Sequence, residues 1–347
     1  GILRSASFYE RRIYLMRIIT HQDLANYEPT ILKYRRYLHQ YPELSFKEYK
    51  TSQFIFEEMS KLSHATVTRP TETSVLVRFI TPNPGPKIGL RGDIDALAIE
   101  EGREESEIPF KSKIKGMMHA CGHDAHAAIF MTACHYFNDH FSELNGEVWA
   151  IFQHAEEIPP GGARELVATG LFNDLDFFYG HHLWTMLPTG TIDLKDGPVT
   201  ANADLYRATI KGKGSHASEP HNGIDPVLIG AQIIQNLQTI ISRGISPLEA
   251  GVISNTYFNA GHPDALNAIP GSVMIGGSVR STTPAMRQFF KKSITQMIES
   301  TCRDYGATAE IEYLLGYGVT LNDPEKTDFV RSFATQFSSG KVVNHPP

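Results

Sequence analysis

The chain is 347 residues long, which is enough to bury a substantial core and to form about two domains. Its apolar fraction of 41% and its charged fraction of 20% are ordinary for a globular protein. The formal net charge of -6 gives no reason to expect nucleic acid or an anionic membrane as a partner, and no apolar run approaches the roughly 20 residues that a membrane span needs.

From Pro29 to about Asp196, helix and strand patterns alternate. Apolar residues at helical spacing, Ile31, Tyr34 and Leu38, predict a first helix, and "YKTSQFIFEEMSKL" predicts a second, amphipathic one. Short apolar runs without polar alternation come next: "TSVLVRF", "KIGLRGD", "EVWAIFQ" and "LDFFYGHH". Such runs, separated by helical stretches, predict an α/β domain with a mainly parallel sheet and helices on both faces.

The rhythm changes at about Gly197, where strand and helix patterns begin to alternate in the order β-α-β-β-α-β. This order predicts a ferredoxin-like domain, with one four-stranded sheet and its helices on one side. We therefore expect residues 197–316 to form an inserted second domain. The first domain would then consist of residues 16–196 and 317–347, with its C-terminal part incomplete.

The three cysteines, Cys121, Cys134 and Cys302, are odd in number and far apart for a disulfide framework. The opening residues are partly basic but lack the apolar core and the small-residue cleavage site of a secretory signal. Both observations predict a reducing, cytoplasmic location. We expect the segment before Met16 to be a vector-derived or upstream extension outside the fold.

Candidate functional residues lie after several of the predicted strands. In an open α/β sheet, ligands bind outside the carboxyl ends of the strands. The pairs at these ends are Asp93 and Asp95, Glu156 and Glu157, and His181 and His182, while "HACGHDAH" leads into a helix. Cysteine, histidine and carboxylate ligands together suit Zn²⁺ or Mn²⁺-like divalent ions.

Within "MHACGHDAH", residues two apart in an extended chain project to the same side, so Cys121 and His123 can bind one ion together. His119 stays open as a ligand, and His126 falls on the helix. Asp124 stands where the helix N-cap is expected. A capping role and a role in supporting the neighbouring ligands both fit that position.

Adjacent residues of a strand point in opposite directions, so Glu156 and Glu157 should have different roles. One can bind metal, and the other can act as a general base near a metal-bound water. By the same argument, only one of His181 and His182 reaches the site. An isolated glutamate pair is more often a solvated surface charge, but this pair comes after a buried strand and precedes "PPGG", which favours the functional interpretation.

The predicted insert carries further polar candidates. His216 and His221 lie in a glycine-rich loop before a helix, where a histidine is more often a surface residue than a catalytic one. Asn267 and Arg280 lie in "NAIPGSVMIGGSVRS". A strand-end arginine is usually a surface charge, although its planar guanidinium can also bind a substrate carboxylate.

These stretches together resemble the M20 family of metallopeptidases, in its amidohydrolase branch of aminoacylases, hippurate hydrolases and indole-acetyl-amino-acid hydrolases. The similar motifs run in the family's order: "RRYLHQYPELSFKEYKTS", "LRGDIDALAIEE", "MHACGHDAH", "HAEE", "GHHLW" with "PTG", "KGKGSHASEPHNGIDP" and "LNAIPGSVMIGGSVRS". The resemblance implies hydrolysis of N-acyl amino acids to a carboxylic acid and a free amino acid. It also implies two divalent metal ions per subunit, and a catalytic domain with an inserted lid or dimerisation domain.

The resemblance assigns site residues position by position. Cys121, His123 and Glu157 are similar to metal ligands of the family, and Glu156 to its general base and acid. In "YGHHLW" the family has one apolar residue and then histidine, so His182 matches the ligand and the histidine before it fills the apolar slot.

The resemblance also assigns roles within the insert. His216 matches a histidine that helps to polarise the scissile carbonyl, in related enzymes from the partner subunit, so a homodimer through the insert is implied. Asn267 and Arg280 match positions that hold the carboxylate end of the substrate.

Two departures from the family stand near the end of the chain. The family has a further acidic segment and a terminal histidine that completes the two-metal site, whereas His345 in "NHPP" lies too early to match it. We therefore expect the sequence to be part of a longer protein; the alternative is a form that does not hold both metals properly. Gly318 and Val319 also replace the family's usual "GYPP" pattern, which is expected to loosen the return to the catalytic domain.

Alternative functions stay open at this point. A dipeptidase or carboxypeptidase of the same superfamily would use the same metals. A deacetylase for a biosynthetic intermediate such as N-acetyl-diaminopimelate, and a catalytically inactive binding protein on the same scaffold, are also compatible with the sequence.

Overall fold

The computed structural model describes residues 19–337 and 341–344. Backbone contacts divide the chain into two compact units, Gly1–Thr189 and Gly190–Pro347. The expected domain start at residue 16 and the His345 comparison lie outside the described residues. Among the described helices, none is long and apolar enough to cross a membrane.

The first unit combines helices with one five-stranded sheet. Its helices are α1 (His21–Ala25), α2 (Glu28–Gln40), α3 (Tyr49–Met59), α4 (His123–Asp139) and α5 (Gly162–Ala168). Its strands are β1 (Thr66–Thr68), β2 (Val75–Ile80), β3 (Lys87–Asp93), β4 (Glu147–Gln153) and β5 (Phe177–Gly180). The chain is mixed α/β, as the sequence predicts.

The strand order in this sheet is β1-β2-β4-β3-β5. Strand β3 pairs in parallel with both β4 and β5, whereas β2 pairs antiparallel with both β1 and β4. Four of the five strands therefore run in one direction, and β2 departs from the expected parallel arrangement. Its continuous apolar run reflects burial on both faces, which a central antiparallel strand shares, so the run carried no information on direction.

One face of the sheet packs against α2, α3 and α4. Tyr34, Ile55 and Met131 from these helices join Val77 and Phe152 from the strands in a single buried cluster. The apolar positions of each helix recur at helical spacing, so one stripe of each helix reaches the sheet.

The opposite face of the sheet packs against α5. Leu166 of this helix contacts a smaller buried cluster with Leu76, Trp149 and Ile151. The expected helices on both faces of the sheet are therefore observed.

The second unit contains one four-stranded sheet and several short strand pairs. Its strands are β6 (Thr191–Asp193), β7 (Gly197–Thr200), β8 (Asp204–Lys211), β9 (Ser215–His216), β10 (Gly251–Ala260), β11 (Ala268–Ile269), β12 (Ser272–Ser281), β13 (Thr308–Leu314), β14 (Thr320–Asn322) and β15 (Lys341–Val343). Its helices are α6 (Pro226–Gly244), α7 (Pro284–Asp304) and α8 (Pro324–Phe337).

The four-stranded sheet has the order β10-β12-β8-β13 and is antiparallel throughout. Helices α6 and α7 connect its strands in the chain order β8-α6-β10-β12-α7-β13, which is the order that the sequence predicts. Ile233 and Ile294 from the two helices pack with Ala208, Ile210 and Ile275 of the sheet in one core. Burial alternates along β8 because successive side chains point to opposite faces of the sheet and the helices cover one of them.

Short strand pairs join the segments that flank this sheet. Strand β9 pairs with β11, β7 with β14, and β6 with β15. Residues 317–337 and 341–344 thus lie in the same compact unit as the predicted insert. Their assignment to the catalytic domain stays a prediction.

Candidate active site

The carboxyl ends of β3, β4 and β5 and the start of α4 bring metal-type side chains together. Two overlapping groups have ligand atoms within 4.8 Å of one another: Cys121, His123 and His182 form one, and His123, Glu156 and Glu157 form the other. The parallel direction of these three strands explains the clustering at one edge of the sheet.

The turn before α4 orients the side chains of Cys121 and His123. Gly122 has a φ of 87°, a left-handed conformation that glycine adopts readily, and the helix begins directly after it at His123. Asp124 is therefore not the N-cap, contrary to the capping interpretation. Its buried carboxylate lies 2.9 Å from Nδ1 of His39 and 3.5 Å from Nε of Arg35.

Two buried polar atoms face each other at the centre of the cluster. Nδ1 of His123 lies 3.2 Å from the Asp95 carboxylate, while its Nε2 has no hydrogen-bond partner among the described residues. Oε1 of Glu157, 3.7 Å from that Nε2, is likewise buried without a hydrogen-bond partner there. An imidazole nitrogen and a carboxylate oxygen in this state are suited to binding one cation.

Cys121 and His182 complete the first group. Nδ1 of His182 donates to the carbonyl of Leu183 at 2.6 Å, which leaves Nε2 as the basic nitrogen, 3.3 Å from Sγ of Cys121. The neighbouring imidazoles of His123 and His182 lower the pKa of the Cys121 thiol. A thiol with a lowered pKa and a basic imidazole nitrogen beside it are both competent metal ligands.

Glu156 and Glu157 differ in how they are held. The backbone N–H of Glu157 donates to the Asp95 carboxylate at 3.0 Å. Glu156 is half-buried, and its burial together with the charges of Glu157 and Asp93 raises the pKa of its carboxyl. A carboxyl with a raised pKa keeps its proton to a higher pH than an ordinary glutamate does.

His181, which precedes His182 in the chain, lies in a different environment. His181 packs against the ring of Phe130 at 4.7 Å, and burial lowers its pKa to about 4. It therefore occupies the apolar side of the strand end, whereas His182 lies beside Cys121. The alternation of side chains along the strand predicted that the two would separate in this way.

Asp93, His123 and His126 form a further group of candidate ligand atoms, but His126 is already engaged. Its Nδ1 lies 2.7 Å from Asp93, and its Nε2 accepts the backbone N–H of Leu183 at 2.9 Å. With both ring nitrogens used, His126 supports the loop after β5 rather than offering a ligand.

His119 is buried, and its pKa is lowered by that burial to about 4. It belongs to none of the groups of candidate ligand atoms found among the described residues. His119 is therefore a neutral, buried side chain outside the cluster and is not one of the candidate ligands.

Two residues support the cluster: Asp95, which the sequence marked as a strand-end candidate without a specific role, and Ser45, which it did not mark. The Asp95 carboxylate accepts the hydroxyl of Ser45 at 2.7 Å, in addition to its contacts with His123 and Glu157. The position of Asp95 after a buried strand was a usable signal. Ser45 had none, because its contact joins segments 50 residues apart.

In the second unit, His216 and Asn267 lie next to each other. Strand β9 pairs with β11 so that His216 faces Ala268, and the N–H of Ala217 donates to the carbonyl of Asn267 at 2.9 Å. Nδ1 of the exposed His216 lies 2.7 Å from the Ser218 hydroxyl.

Arg280 lies at the other end of the four-stranded sheet from that pair. Gly212 donates to Gly271, which places β9 and β11 near Ser272, the first residue of β12. Arg280 comes eight residues later on the same strand, about 27 Å away at the rise of an antiparallel strand. The structure therefore does not bring Arg280 together with His216 and Asn267 within one chain.

Comparisons with known proteins confirm the family resemblance. The sequence profile of peptidase family M20/M25/M40 matches residues 89–347. An N-acyl-L-amino acid amidohydrolase of Geobacillus stearothermophilus is 41% identical over 295 residues, which cover 85% of this chain and 78% of the relative. Thermostable carboxypeptidase 1 of Saccharolobus solfataricus is 36% identical over 330 residues, or 94% of this chain and 82% of the relative.

A solved structure extends the comparison to the fold. The YXEP protein of Bacillus subtilis, described as a dinuclear metal-binding peptidase of the M20 family, superposes with a TM-score of 0.78 at 32% identity. The match covers 93% of this chain and 84% of that one. The chain belongs to peptidase family M20/M25/M40 and is an M20-type hydrolase.

Proposed function

We propose that this protein hydrolyses the amide bond of N-acyl amino acids and releases a carboxylic acid and a free amino acid. The observation that carries the proposal is the pair of buried, unpartnered ligand atoms, Nε2 of His123 and Oε1 of Glu157, beside Cys121 and His182. The amidohydrolase named among the relatives supports the substrate class.

Cys121, His123, Glu157 and His182 are the residues that would hold divalent ions in this proposal. The mixture of thiolate, imidazole and carboxylate suits Zn²⁺ or Mn²⁺, and the dinuclear M20 relative supports two ions per subunit. When bound, such ions polarise the amide carbonyl and lower the pKa of a water molecule towards 7.

Glu156 is the proposed general base and acid. Its half-buried carboxylate takes a proton from the attacking water as the oxygen–carbon bond forms. The same carboxyl then gives this proton to the amine nitrogen as the amide bond breaks. The pKa of Glu156, raised by burial and by its charged neighbours, fits both steps because the group must exist in each protonation state.

His216 is proposed to stabilise the developing charge on the carbonyl oxygen, and Asn267 and Arg280 to bind the carboxylate end of the substrate. The distance along β12 supports a homodimer, because one small substrate cannot reach both Arg280 and the His216 loop of the same chain. The two groups would then serve different sites of the dimer, with residues 197–316 as its lid and dimerisation domain.

A carboxypeptidase or dipeptidase is the second candidate, because one relative at 36% identity bears the name of a carboxypeptidase. The metal and proton-transfer residues would be the same for both candidates, and the substrate pocket would differ. Cys121, Cys134 and Cys302 are free thiols, so we also propose that the protein works in a reducing compartment, the cytoplasm.

The test is hydrolysis of a substrate panel by the protein supplied with Mn²⁺ or Zn²⁺. The panel contains N-acetyl, N-benzoyl and N-indole-acetyl amino acids, N-acetyl-diaminopimelate, and dipeptides with a free amino group. Release of amino acid from the N-acyl compounds in preference to the dipeptides supports the proposal. Preference for dipeptides identifies a peptidase, exclusive turnover of N-acetyl-diaminopimelate identifies the specialised deacetylase, and metal binding without turnover of any compound identifies a binding protein.

A further inference from the structure

Glu48 is a fully buried carboxylate at the start of α3. Its Oε1 accepts two backbone N–H groups, from Phe46 at 3.0 Å and from Ala155 at 2.8 Å. Its Oε2 accepts the hydroxyl of Thr73 at 2.9 Å. The contact with Ala155 joins residues 107 positions apart, so Glu48 links the loop before α3 to the loop after β4.

Ala155 directly precedes Glu156 and holds an unusual backbone conformation. Its φ is 45°, in the left-handed region that residues with a side chain rarely adopt, and it is completely buried. A residue in such a conformation persists when its surroundings over-determine it, and such residues concentrate at functional sites. The conformation of Ala155 sets the direction in which the chain leaves β4.

The peptide groups around Glu156 are fixed from several sides. The N–H of Ala155 is held by Glu48, and its carbonyl accepts the N–H of Gly162 at 2.9 Å. Gly162 can approach this closely because a Cβ there would lie only 2.2 Å from the carbonyl oxygen of His154. On the other side, the N–H of Glu157 is held by Asp95 at 3.0 Å.

We propose that Glu48 is a positioning residue for Glu156. By accepting the N–H of Ala155, its carboxylate holds the left-handed turn that directs the Glu156 side chain toward the metal cluster. This inference rests on the proposed function, because it assigns Glu48 to the residue that transfers the proton. Without the acceptor, the buried N–H of Ala155 loses its partner and the turn relaxes.

The role depends on the acceptor oxygen and not on the volume of the side chain. In Glu48→Gln, one amide oxygen can still accept both backbone N–H groups, while the amide nitrogen donates to the Thr73 hydroxyl. In Glu48→Met, a side chain of similar length has no comparable acceptor. Glu43, which is half-buried, is the control, since its Oε2 accepts the N–H of Thr51 in the first turn of α3 at 2.8 Å.

The test compares kcat, KM and bound metal for E48Q, E48M and E43M in the intact protein loaded with Mn²⁺. A 1 Å displacement of a catalytic group can cost about 100-fold, so E48M should lower kcat by about 10- to 100-fold with KM and metal content near the wild-type values. E48Q should restore most of kcat, and E43M should leave it nearly unchanged. Equal kcat values for E48M and E43M, or no recovery in E48Q, would overturn the proposal.

Amide hydrogen exchange gives a second readout that needs no turnover. E48D, whose carboxylate is one methylene shorter, should fold even where E48M does not, and it should speed exchange in residues 153–157 relative to wild type and E43M. Unchanged exchange in that segment would contradict the positioning role. A wild-type protein without hydrolytic activity would overturn the proposed function while leaving this exchange result to decide the role of Glu48.

Discussion

The Asp95 carboxylate lies 3.2 Å from Nδ1 of His123 and so turns the opposite nitrogen of that ring toward Glu157. The same carboxylate accepts the backbone N–H of Glu157 at 3.0 Å. One buried side chain therefore orients two proposed ligands that come from different elements of the fold. A carboxylate behind a ligating histidine fixes its tautomer and ring orientation.

Replacing Asp95 should weaken metal binding without removing a ligand. In Asp95→Ala, the His123 ring and the Glu157 backbone lose their shared acceptor, so we expect metal affinity to fall about 10- to 100-fold. Ser45→Ala is the control, because it removes only the hydroxyl that donates to Asp95 at 2.7 Å, and its effect should be smaller. Metal titration measures both, and equal affinities for wild type and Asp95→Ala would contradict the orienting role.

Changing each of the two glutamates after β4 to glutamine should have different effects on turnover and on metal binding. Glu156→Gln removes the proposed proton acceptor, so turnover should fall by about 100- to 10,000-fold while metal content stays near wild type. Glu157→Gln removes a charged ligand, so bound metal itself should fall. Steady-state kinetics and metal analysis on the same preparations check this. Loss of metal in Glu156→Gln with activity retained would contradict the assignment.

His39 should make stability depend on pH. Its ring lies 2.9 Å from Asp124 and 3.1 Å from Glu101, all three groups being buried. Burial opposes the charged imidazole, but the two carboxylates outweigh it and raise the pKa of His39 above its ordinary 6.5. Its contribution to the free energy of unfolding is thus fully present below pH 6.5 and is lost as pH rises through the raised pKa.

The contributions of Asp124 and Glu101 to stability depend on pH in the opposite direction. Burial works against their charge, but His39 helps to lower the pKa of Asp124, and the Ser112 N–H and His39 lower that of Glu101. Their contribution is present above the ordinary values of 3.8 and 4.5 and is lost as pH falls through the lowered pKa values. We expect His39→Leu to cost about 3 kcal/mol in denaturant unfolding at pH 6 and less at pH 9. A cost independent of pH would contradict the charged cluster.

Mixing two inactive variants tests the proposed dimer. His216→Ala and Arg280→Ala should each lose most activity, because each removes a group that the substrate needs. If the two residues serve different sites of the dimer, one site in each mixed dimer regains both groups, and exchange of subunits should restore about a quarter of wild-type activity. A mixture of His216→Ala with Asn267→Ala is the control and should stay inactive. Absence of recovery in the mixture of His216→Ala and Arg280→Ala would contradict the assignment of the two residues to different sites of the dimer.

Local patterns predicted the residues at the strand ends. The runs that became β3, β4 and β5 are parallel neighbours, so the residues just after each of them lie at one edge of the sheet. Alternation along the chain also predicted that only one histidine of the His181 and His182 pair would reach Cys121.

Other features depend on contacts that no local pattern contains. The capping interpretation of Asp124 was wrong because its carboxylate binds His39, 85 positions away, while Gly122 turns the chain before the helix. The support of Ala155 by Glu48 likewise spans 107 positions. Side chains that support a site through such long-range contacts are hard to recognise in the local sequence, because their role depends on the tertiary structure.

The central claim is that the Cys121, His123, Glu157 and His182 cluster makes the protein a metal-dependent amidohydrolase. The most direct measurement is hydrolysis of an N-acyl amino acid before chelation, after chelation, and after return of Mn²⁺ or Zn²⁺, for wild type and Cys121→Ala in parallel. Activity that disappears with the metal and returns with it in wild type, but remains low in Cys121→Ala, is the predicted result. Full activity in the presence of the chelator, with no metal bound, would contradict the claim.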